Sequence, residues 1–317
     1  MNAAALFNTR ERHDPGALAL RWDGGAMTYG ELGTQARRAA AALAARGVGV
    51  DDRVALLLPN DPRFAVALLG TLWLGATAAV LSPVWRGQDV LQALLDADVS
   101  ALVTTQALAA ALGALPCPTL LVDVATGYES FAHALASARV DLSSQPLHRA
   151  ADEPATILYS SGTTGEPKGV VLSHGNLVFN AESKGRYCGI EPNDALALVV
   201  PISHCFGQNV VLLGAFAAGA SVRLYPRFDV HQLCAGIARG EVSHLYAPPP
   251  VFQGLLEVGT PVTLRRLRCA LSAAAPLAEP LAARWRESTG RALRQGYGLT
   301  ESSPFATYAD DGAVDVG

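Results

Sequence analysis

Tyr159-Ser160-Ser161-Gly162-Thr163-Thr164-Gly165-Glu166-Pro167-Lys168-Gly169 is the stretch on which the reading of this chain turns. Its glycines let backbone N–H groups turn inward, its hydroxyl side chains add donors, and Lys168 brings a mobile positive charge, a combination suited to a polyphosphate. A Walker A loop needs four residues between its first glycine and a Gly-Lys-Ser/Thr end, and it opens a helix. Here Pro167 precedes Lys168 and Gly169 follows it. The apolar runs Ile157-Leu158 and Val170-Val171-Leu172 on either side predict two strands joined by the loop. A plain Gly/Ser/Thr linker would not need the Pro-Lys-Gly ending.

Outward from the loop, the chain alternates short apolar runs with helical segments. Thr28 and Glu31 make a capping box for a helix over 29–46 that ends at Gly47. Val54-Ala55-Leu56-Leu57-Leu58 reads as a buried strand, and Asp61-Pro62 starts a helix to about Gly75. Further strands are expected at 78–81, 101–104 and 119–122, the βαβ rhythm of a parallel sheet covered on both faces. After the loop, Ser173 and Asn176 cap a helix to about Lys184, and His174 reads as a polar residue at that helix start. Strands at 196–200, 222–225, 243–246 and 268–272 predict a second parallel sheet, with helices around 207–218, 229–239 and 278–288. Gly185 to Asp194, polar and broken by glycine and proline, is the expected crossing between the halves.

The totals bound the function. With 317 residues, 50% of them hydrophobic, the chain exceeds a usual single domain, so two subdomains are expected. A net charge of -4 and a pI near 6.0 leave no electrostatic footprint for nucleic acid or an anionic membrane. Cys117, Cys188, Cys205, Cys234 and Cys269 lack the paired spacing of metal or redox motifs and read as reduced, mostly packed thiols. Arg10, Glu11 and Arg12 interrupt the position of a signal peptide, and no apolar stretch reaches membrane-spanning length, so no transmembrane segment and a cytoplasmic location are expected.

A second stretch, Gln295-Gly296-Tyr297-Gly298-Leu299-Thr300-Glu301, places two glycines around a tyrosine, which permits a tight strand exit with an available aromatic face. The hydroxyl and carboxylate at its end suit a phosphate and its magnesium. Alone, the stretch could equally be a glycine-rich turn with a packed tyrosine. Together, the two stretches resemble the adenylate-forming superfamily of acyl-CoA synthetases, luciferases and peptide-synthetase adenylation domains, and are most similar to fatty acyl-CoA synthetases.

That resemblance implies an α/β fold of two packed subdomains, each a mostly parallel sheet flanked by helices in five αβαβα layers, with the family's small β-barrel incomplete. The approximate subdomains are 48–190, and 10–47 with 191–310. It implies ATP and Mg2+ as cofactors, with Ser160, Ser161, Gly162, Thr163, Thr164, Gly165 and Lys168 cradling phosphate. Tyr297 would stack on adenine between Gly296 and Gly298, Gln295 would meet the adenine amino group, Thr300 would contact phosphate, and Glu301 would hold the metal. Ser272-Ala273-Ala274-Ala275-Pro276-Leu277 looks like the family's pocket-lining segment, with Ala273 in place of glycine, so Ala274, Ala275 and Pro276 are assigned to it. The added methyl of Ala273 either narrows the acyl pocket or only fills space.

Pro201-Ile202-Ser203-His204-Cys205-Phe206-Gly207-Gln208 is similar to a run of the fatty acyl-CoA synthetases in which the histidine faces the acyl carboxylate and the thiol channel; Ser203 stands where phenylalanine is usual. By that likeness Lys168, His204, Thr300 and Glu301 are the catalytic candidates. Amino-acid-activating members carry an aspartate at the place of His204 to pair an ammonium. A simple carboxylic acid is therefore expected, with Phe206, Val210, Val211, Leu212 and Leu213 suiting an aliphatic tail, or else forming helix core. The implied reaction is acyl-AMP formation with release of pyrophosphate, then transfer to CoA. Alternatives are transfer to the phosphopantetheine arm of an acyl carrier protein, or a truncated protein that only binds acyl-adenylate or nucleotide. The family's ribose-binding aspartate, hinge and C-terminal lid domain lie beyond Gly317, so the chain is read as the N-terminal large domain, binding its ligands with slow turnover.

Overall fold

Residues 1–123, 129–139, 145–160 and 168–309 are described by the structure, a computed structural model. The chain divides into two units, one of Met1–Ala17 and Met27–Phe179, the other of Leu18–Ala26 and Asn180–Gly317. Near the amino terminus, β1 (Leu18–Trp22) and β2 (Gly25–Thr28) form one edge of the second unit's sheet. The sheet of the first unit contains β3 (Arg53–Leu57), β4 (Thr77–Val80), β5 (Ala101–Thr104), β6 (Thr119–Leu121), β7 (Glu129–Ser130), β8 (Pro154–Ser160) and β9 (Lys168–Ser173). Their order is β7-β6-β5-β3-β4-β8-β9. Every neighbouring pair is parallel except β8 and β9, which run antiparallel.

Burial explains why these strands are readable from the sequence. Every residue of β4 and β5 is buried, as a sheet covered on both faces demands, so each strand is a continuous run with no polar alternation. Local caps fix the helices between them. Thr28 Oγ1 accepts the Glu31 N–H at 3.2 Å while the Glu31 carboxylate accepts the Thr28 N–H at 2.8 Å, and the Tyr29–Ala44 helix begins there. Asp61 accepts the Arg63 N–H at 2.8 Å, with Pro62 as the first residue of the Pro62–Trp73 helix. Ser173 and Asn176 cap the His174–Cys188 helix reciprocally, at 2.9 and 3.1 Å.

The second unit adds β10 (Ala195–Leu198), β11 (Ser221–Leu224), β12 (His244–Ala247), β13 (Cys269–Ser272), β14 (Arg294–Tyr297) and β15 (Thr307–Ala309). The order is β15-β14-β13-β12-β10-β11-β1-β2. Pairing is parallel from β1 through β14, and β15 returns antiparallel to β14. In β1, Leu20 sits opposite Val222, and the Asp23 carboxylate pairs with the Arg223 guanidinium from 200 residues away. The fold is thus mixed α/β with two parallel-dominated sheets flanked by helices.

The boundary between units corrects the sequence expectation. The sequence groups 10–47 with 191–310, yet the Tyr29–Ala44 helix belongs to the first unit. Its alanine face explains this: a Cβ placed on Gly70 would lie 2.6 Å from Ala39 Cβ and 2.9 Å from Ala36 O, so the helix packs backbone to backbone on Pro62–Trp73. At the other end the division falls at Phe179/Asn180, inside a helix that continues to Cys188, and not in the polar 185–194 segment. Asn180, Lys184 and Cys188 recur every four residues on a buried face, a pattern that polar letters conceal.

His174 behaves as the helix-start residue that the sequence suggests. It is buried, and its Nδ1 accepts the Ala3 N–H at 3.1 Å. Burial first, then the positive charge of Arg149, pushes its pKa down to about 4.

Candidate active site

The chain leaves β14 through a turn that glycine alone permits. A Cβ on Gly298 would sit 1.4 Å from Pro304 O, and one on Gly296 would meet the Phe305 ring at 2.7 Å. The returning segment therefore packs against the strand end, and the Tyr297 ring is turned outward, 58% exposed. Thr300–Ser302 form a single 3-10 turn, closed by the Leu299 N–H donating to Ser302 Oγ at 2.9 Å. Two buried asparagines hold the segment that leaves this turn: Asn209 Nδ2 donates to Ser303 O at 3.3 Å, and Asn180 Nδ2 to Phe305 O at 3.1 Å.

Opposite this turn runs Phe206–Leu213, a π-helix and not the α-helix expected from 207, continued by an α-helical turn over Gly214–Ala218. Such widened helices recur at functional sites. Between them lies a cavity of about 250 Å³, walled by His204, Cys205, Phe206, Val210, Ala273, Ala274, Tyr297, Gly298, Leu299, Thr300, Glu301, Pro304 and Phe305. Cys205 Sγ is 3.4 Å from Thr300 Oγ1, joining the two walls, and burial pushes that thiol up from its ordinary pKa.

His204 offers its ring to the cavity in one form. Its Nδ1 accepts the Phe206 N–H at 3.1 Å, so the proton of the neutral ring sits on Nε2. The protein packed around the imidazole holds its pKa below the ordinary value, which keeps it neutral at pH 7. Glu301 is then the one wall residue charged at neutral pH among those described.

The structure thus brings His204, Ala274, Tyr297, Gly298, Thr300 and Glu301 to one cavity. Ala275 and Pro276 are exposed just past β13 and do not line it. Gln295 and Gly296 lie in β14, and Gln295 Oε1 is buried without a hydrogen-bond partner among the described residues. Lys168 is exposed at the start of β9, in register with Ser160 at the end of β8, so the loop does bridge two strands. Ser161, Gly162, Thr163, Thr164 and Gly165 lie outside the described residues, as does the side chain of Ser160. Of the apolar set assigned to a tail pocket, Phe206 and Val210 reach the wall; Val211, Leu212 and Leu213 are fully buried elsewhere. Sequence reasoning missed Pro304 and Phe305, whose one signal is that they come soon after the Tyr-Gly-Leu-Thr-Glu run, and Cys205 as a wall residue.

Residues 7–317 match the family described as AMP-binding enzyme. The chain belongs to that family. It is 30% identical over 303 residues to the feruloyl-CoA synthase of an Amycolatopsis species, covering 95% of the chain and 60% of that protein. It is 34% identical over 325 residues to "4-coumarate--CoA ligase 2" of Oryza sativa subsp. japonica, covering 93% and 56%. Among solved structures, ATP-bound MatB from Rhodopseudomonas palustris superposes with a TM-score of 0.86 at 31% identity, over 99% of this chain and 63% of that one. A benzoate CoA ligase from Burkholderia xenovorans gives 0.88 at 25% identity, over 100% and 65%. The chain therefore spans between 56% and 65% of the length of these relatives. No helix among the described residues is long and apolar enough to cross a membrane.

Proposed function

We propose that the whole protein activates a carboxylic acid with ATP and passes the acyl group to the thiol of CoA. The observation that carries this reading is the single cavity gathering a neutral histidine, an outward tyrosine, a threonine hydroxyl and a lone carboxylate. In the first step a carboxylate oxygen attacks the α-phosphorus, the bond to the β-phosphate oxygen breaks, and pyrophosphate leaves. In the second, the thiol sulfur attacks the acyl carbon and AMP leaves.

Catalysis of this kind is mostly positioning and electrostatics. Lys168 and the hydroxyls of Ser161, Thr163 and Thr164 hold the β- and γ-phosphates by family likeness. Tyr297 offers an exposed ring for adenine, and the orphaned Gln295 Oε1 is an acceptor suited to the adenine amino group. Thr300 donates to the α-phosphate, and His204 donates from Nε2 to the acid carboxylate. Glu301, the carboxylate on the cavity wall, would hold magnesium, an ion commonly bound by one or two carboxylates plus substrate phosphates. When bound, it would neutralise phosphate charge.

The acid we assign has a compact aromatic tail that carries no second charge. With Val211, Leu212 and Leu213 away from the wall, the support for an aliphatic tail falls back on Val210, while Phe206 and Phe305 offer ring faces. No cationic side chain lines the cavity to pair a second carboxylate. The relatives named for feruloyl and coumarate support the same class.

A thermal-shift series with acyl-sulfamoyl adenosines tests this, because a ligand at 100 times its Kd stabilises by about 2.7 kcal/mol whether or not turnover occurs. Cinnamoyl and benzoyl analogues should raise Tm most, long-alkyl and aminoacyl analogues least. No shift with any of them would overturn the reading; a preference for the alkyl series would restore the fatty acid.

A further inference from the structure

A second cavity, of about 230 Å³, opens at the other end of the strands that carry the acyl cavity. β13 and β14 run parallel; Cys269 and Arg294, at their amino ends, line this cavity, whereas Ala273 and Tyr297, at the carboxyl side, line the acyl one. Three steps of extended strand put about 10 Å between Arg294 and Tyr297. The two cavities share no residue.

The charged wall of the second cavity is built from donors. Arg268, Arg291 and Arg294 line it, and no carboxylate does. Arg268 is already engaged: its guanidinium donates to Asp194 at 2.7 and 2.8 Å and to Glu191 at 3.0 and 3.2 Å. Its carbonyl accepts from Arg291 Nη1 at 3.2 Å. Arg291 enters no ion pair among the described residues. It reaches this place because Gly290, at a φ of 71°, ends the Glu279–Thr289 helix in the left-handed region, and Thr289 Oγ1 then accepts the Arg291 N–H at 3.2 Å. Arg294 Nη1 donates to Cys269 Sγ at 3.6 Å, and its guanidinium stands 5.6 Å from the centre of the Tyr308 ring, contacts that orient it.

Trp285 adds an independent sign of a ligand. It lines the same cavity at 1% exposure, and its indole Nε1 is buried with no hydrogen-bond partner among the described residues. An indole N–H can only donate, and a buried donor left unmet is costly, so an acceptor belongs beside it.

We infer that this cavity binds the dianionic phosphoryl group of a small molecule, held by Arg291 and Arg294 with Trp285 Nε1 as a third donor. The site is independent of the acyl-adenylate reading. Guanidinium groups match phosphate oxygens in pairs. Donors carried by a helix, the loop after it and a strand suit a tetrahedral group, whose oxygens point several ways; a carboxylate presents both of its oxygens in one plane. A cavity of about 150 Å³ holds a benzene-sized molecule, and drug-sized ligands take about 300 Å³ or more. At about 230 Å³ this one takes a phosphoryl group with a few further atoms and excludes a nucleotide. The amino ends of parallel strands also lie away from the end where α/β folds place substrates, so the ligand is not the reaction's own ATP.

Calorimetric titration of the unaltered chain with inorganic phosphate, methyl phosphate, dimethyl phosphate and malonate tests this. Methyl phosphate should bind at least about tenfold more tightly than dimethyl phosphate, which carries one charge, and than malonate, whose two charges sit on planar groups. Tighter binding of methyl phosphate than of inorganic phosphate would assign an esterified ligand, and the reverse the free ion; either supports the proposal. Arg291→Gln and Trp285→Phe should each weaken methyl phosphate about tenfold. Arg291 is exposed, so its variant keeps the fold, and its Kd for the cinnamoyl sulfamoyl adenosine should not move. If Trp285→Phe does not fold, Arg294→Gln should show the same loss. Lys168→Ala should leave methyl phosphate binding unchanged; a loss there would place the anion at the Gly-rich loop and overturn the proposal. So would undiminished affinity in Arg291→Gln, malonate binding as tightly as methyl phosphate, or no binding of either phosphate.

Discussion

The two sheets end alike and differ in how the ending is built. In each, the last parallel strand (β8 in one, β14 in the other) turns at its carboxyl end and returns as an antiparallel edge strand, β9 or β15. The carboxyl ends of parallel strands are where α/β folds place ligands. Both chemical motifs of the sequence sit at these turns, residues 160–168 and 297–306. The second is clamped by the Pro304 carbonyl against Gly298 and by two buried asparagines. At the base of the first, the β8–β9 ladder runs out to Ser160 and Lys168, and a Cβ on Gly169 would meet Ile157 Cγ2 at 2.8 Å and the Tyr159 ring at 3.2 Å. The second turn is thus fixed by backbone contacts, whereas the nearest neighbours of the glycine at the base of the first are side chains.

If the proposed reaction holds, damage to either turn should be comparable. Lys168→Ala and Glu301→Gln should each lower acid-dependent ATP–pyrophosphate exchange in the whole protein by about two to three orders of magnitude, the range for losing one preorganised electrostatic group. An effect from Glu301 alone would break the symmetry. The glycines should separate what these functional losses leave equal. Gly298→Ala must move backbone, with a loss of about 3 kcal/mol in urea unfolding, whereas Gly169→Ala displaces the tips of two side chains, with a loss of about 1 kcal/mol. Equal losses would mean that the two turns are built with the same stiffness.

Acid should weaken both units in one window. Each holds a buried histidine, His174 or His244, and in each, burial is the largest cause of a pKa near 4. A histidine depressed on folding contributes stability that is complete above its unfolded value of 6.5 and is lost as pH falls toward 4. Each should cost the fold about 3 kcal/mol as pH falls from 6.5 to 4, read as a flattened pH dependence of unfolding in His174→Gln and His244→Gln. The smallest effect expected is about 1 kcal/mol for Asn209→Ala, which leaves the Ser303 carbonyl unpaired, with loosened binding of the cinnamoyl analogue.

Much of this was legible from letters because buried parallel strands are apolar throughout and helix starts carry their own signals. Ala101–Thr104 and the Thr28/Glu31 box fall where the sequence put them. β1 and β15 were not foreseen: one is a short strand with Arg21 exposed in it, the other three residues at an edge, and each is a strand only because of its neighbour. The site divides in the same way. Tyr297, Thr300 and Glu301 were assigned from the family resemblance of a short run, and all three line one cavity. Phe305 and Lys184 were not assigned, because a lysine on a helix reads as solvated until rings more than sixty residues away close over it. The π-helical winding at Phe206 is invisible to a periodicity argument, since every residue of the helix is buried and no exposed face sets a period.

The pairing of Leu20 with Val222 reaches into how the chain is made. At about 5 to 20 residues per second, β1 waits about 10 to 40 s after its own synthesis before its partner strand emerges from the ribosome. During that interval the Leu18–Trp22 segment, written Leu-Ala-Leu-Arg-Trp, has β2 beside it on one edge while its other edge waits for β11. Its arginine then serves the newborn chain as a gatekeeper against pairing with another copy, a duty that ends once the sheet closes.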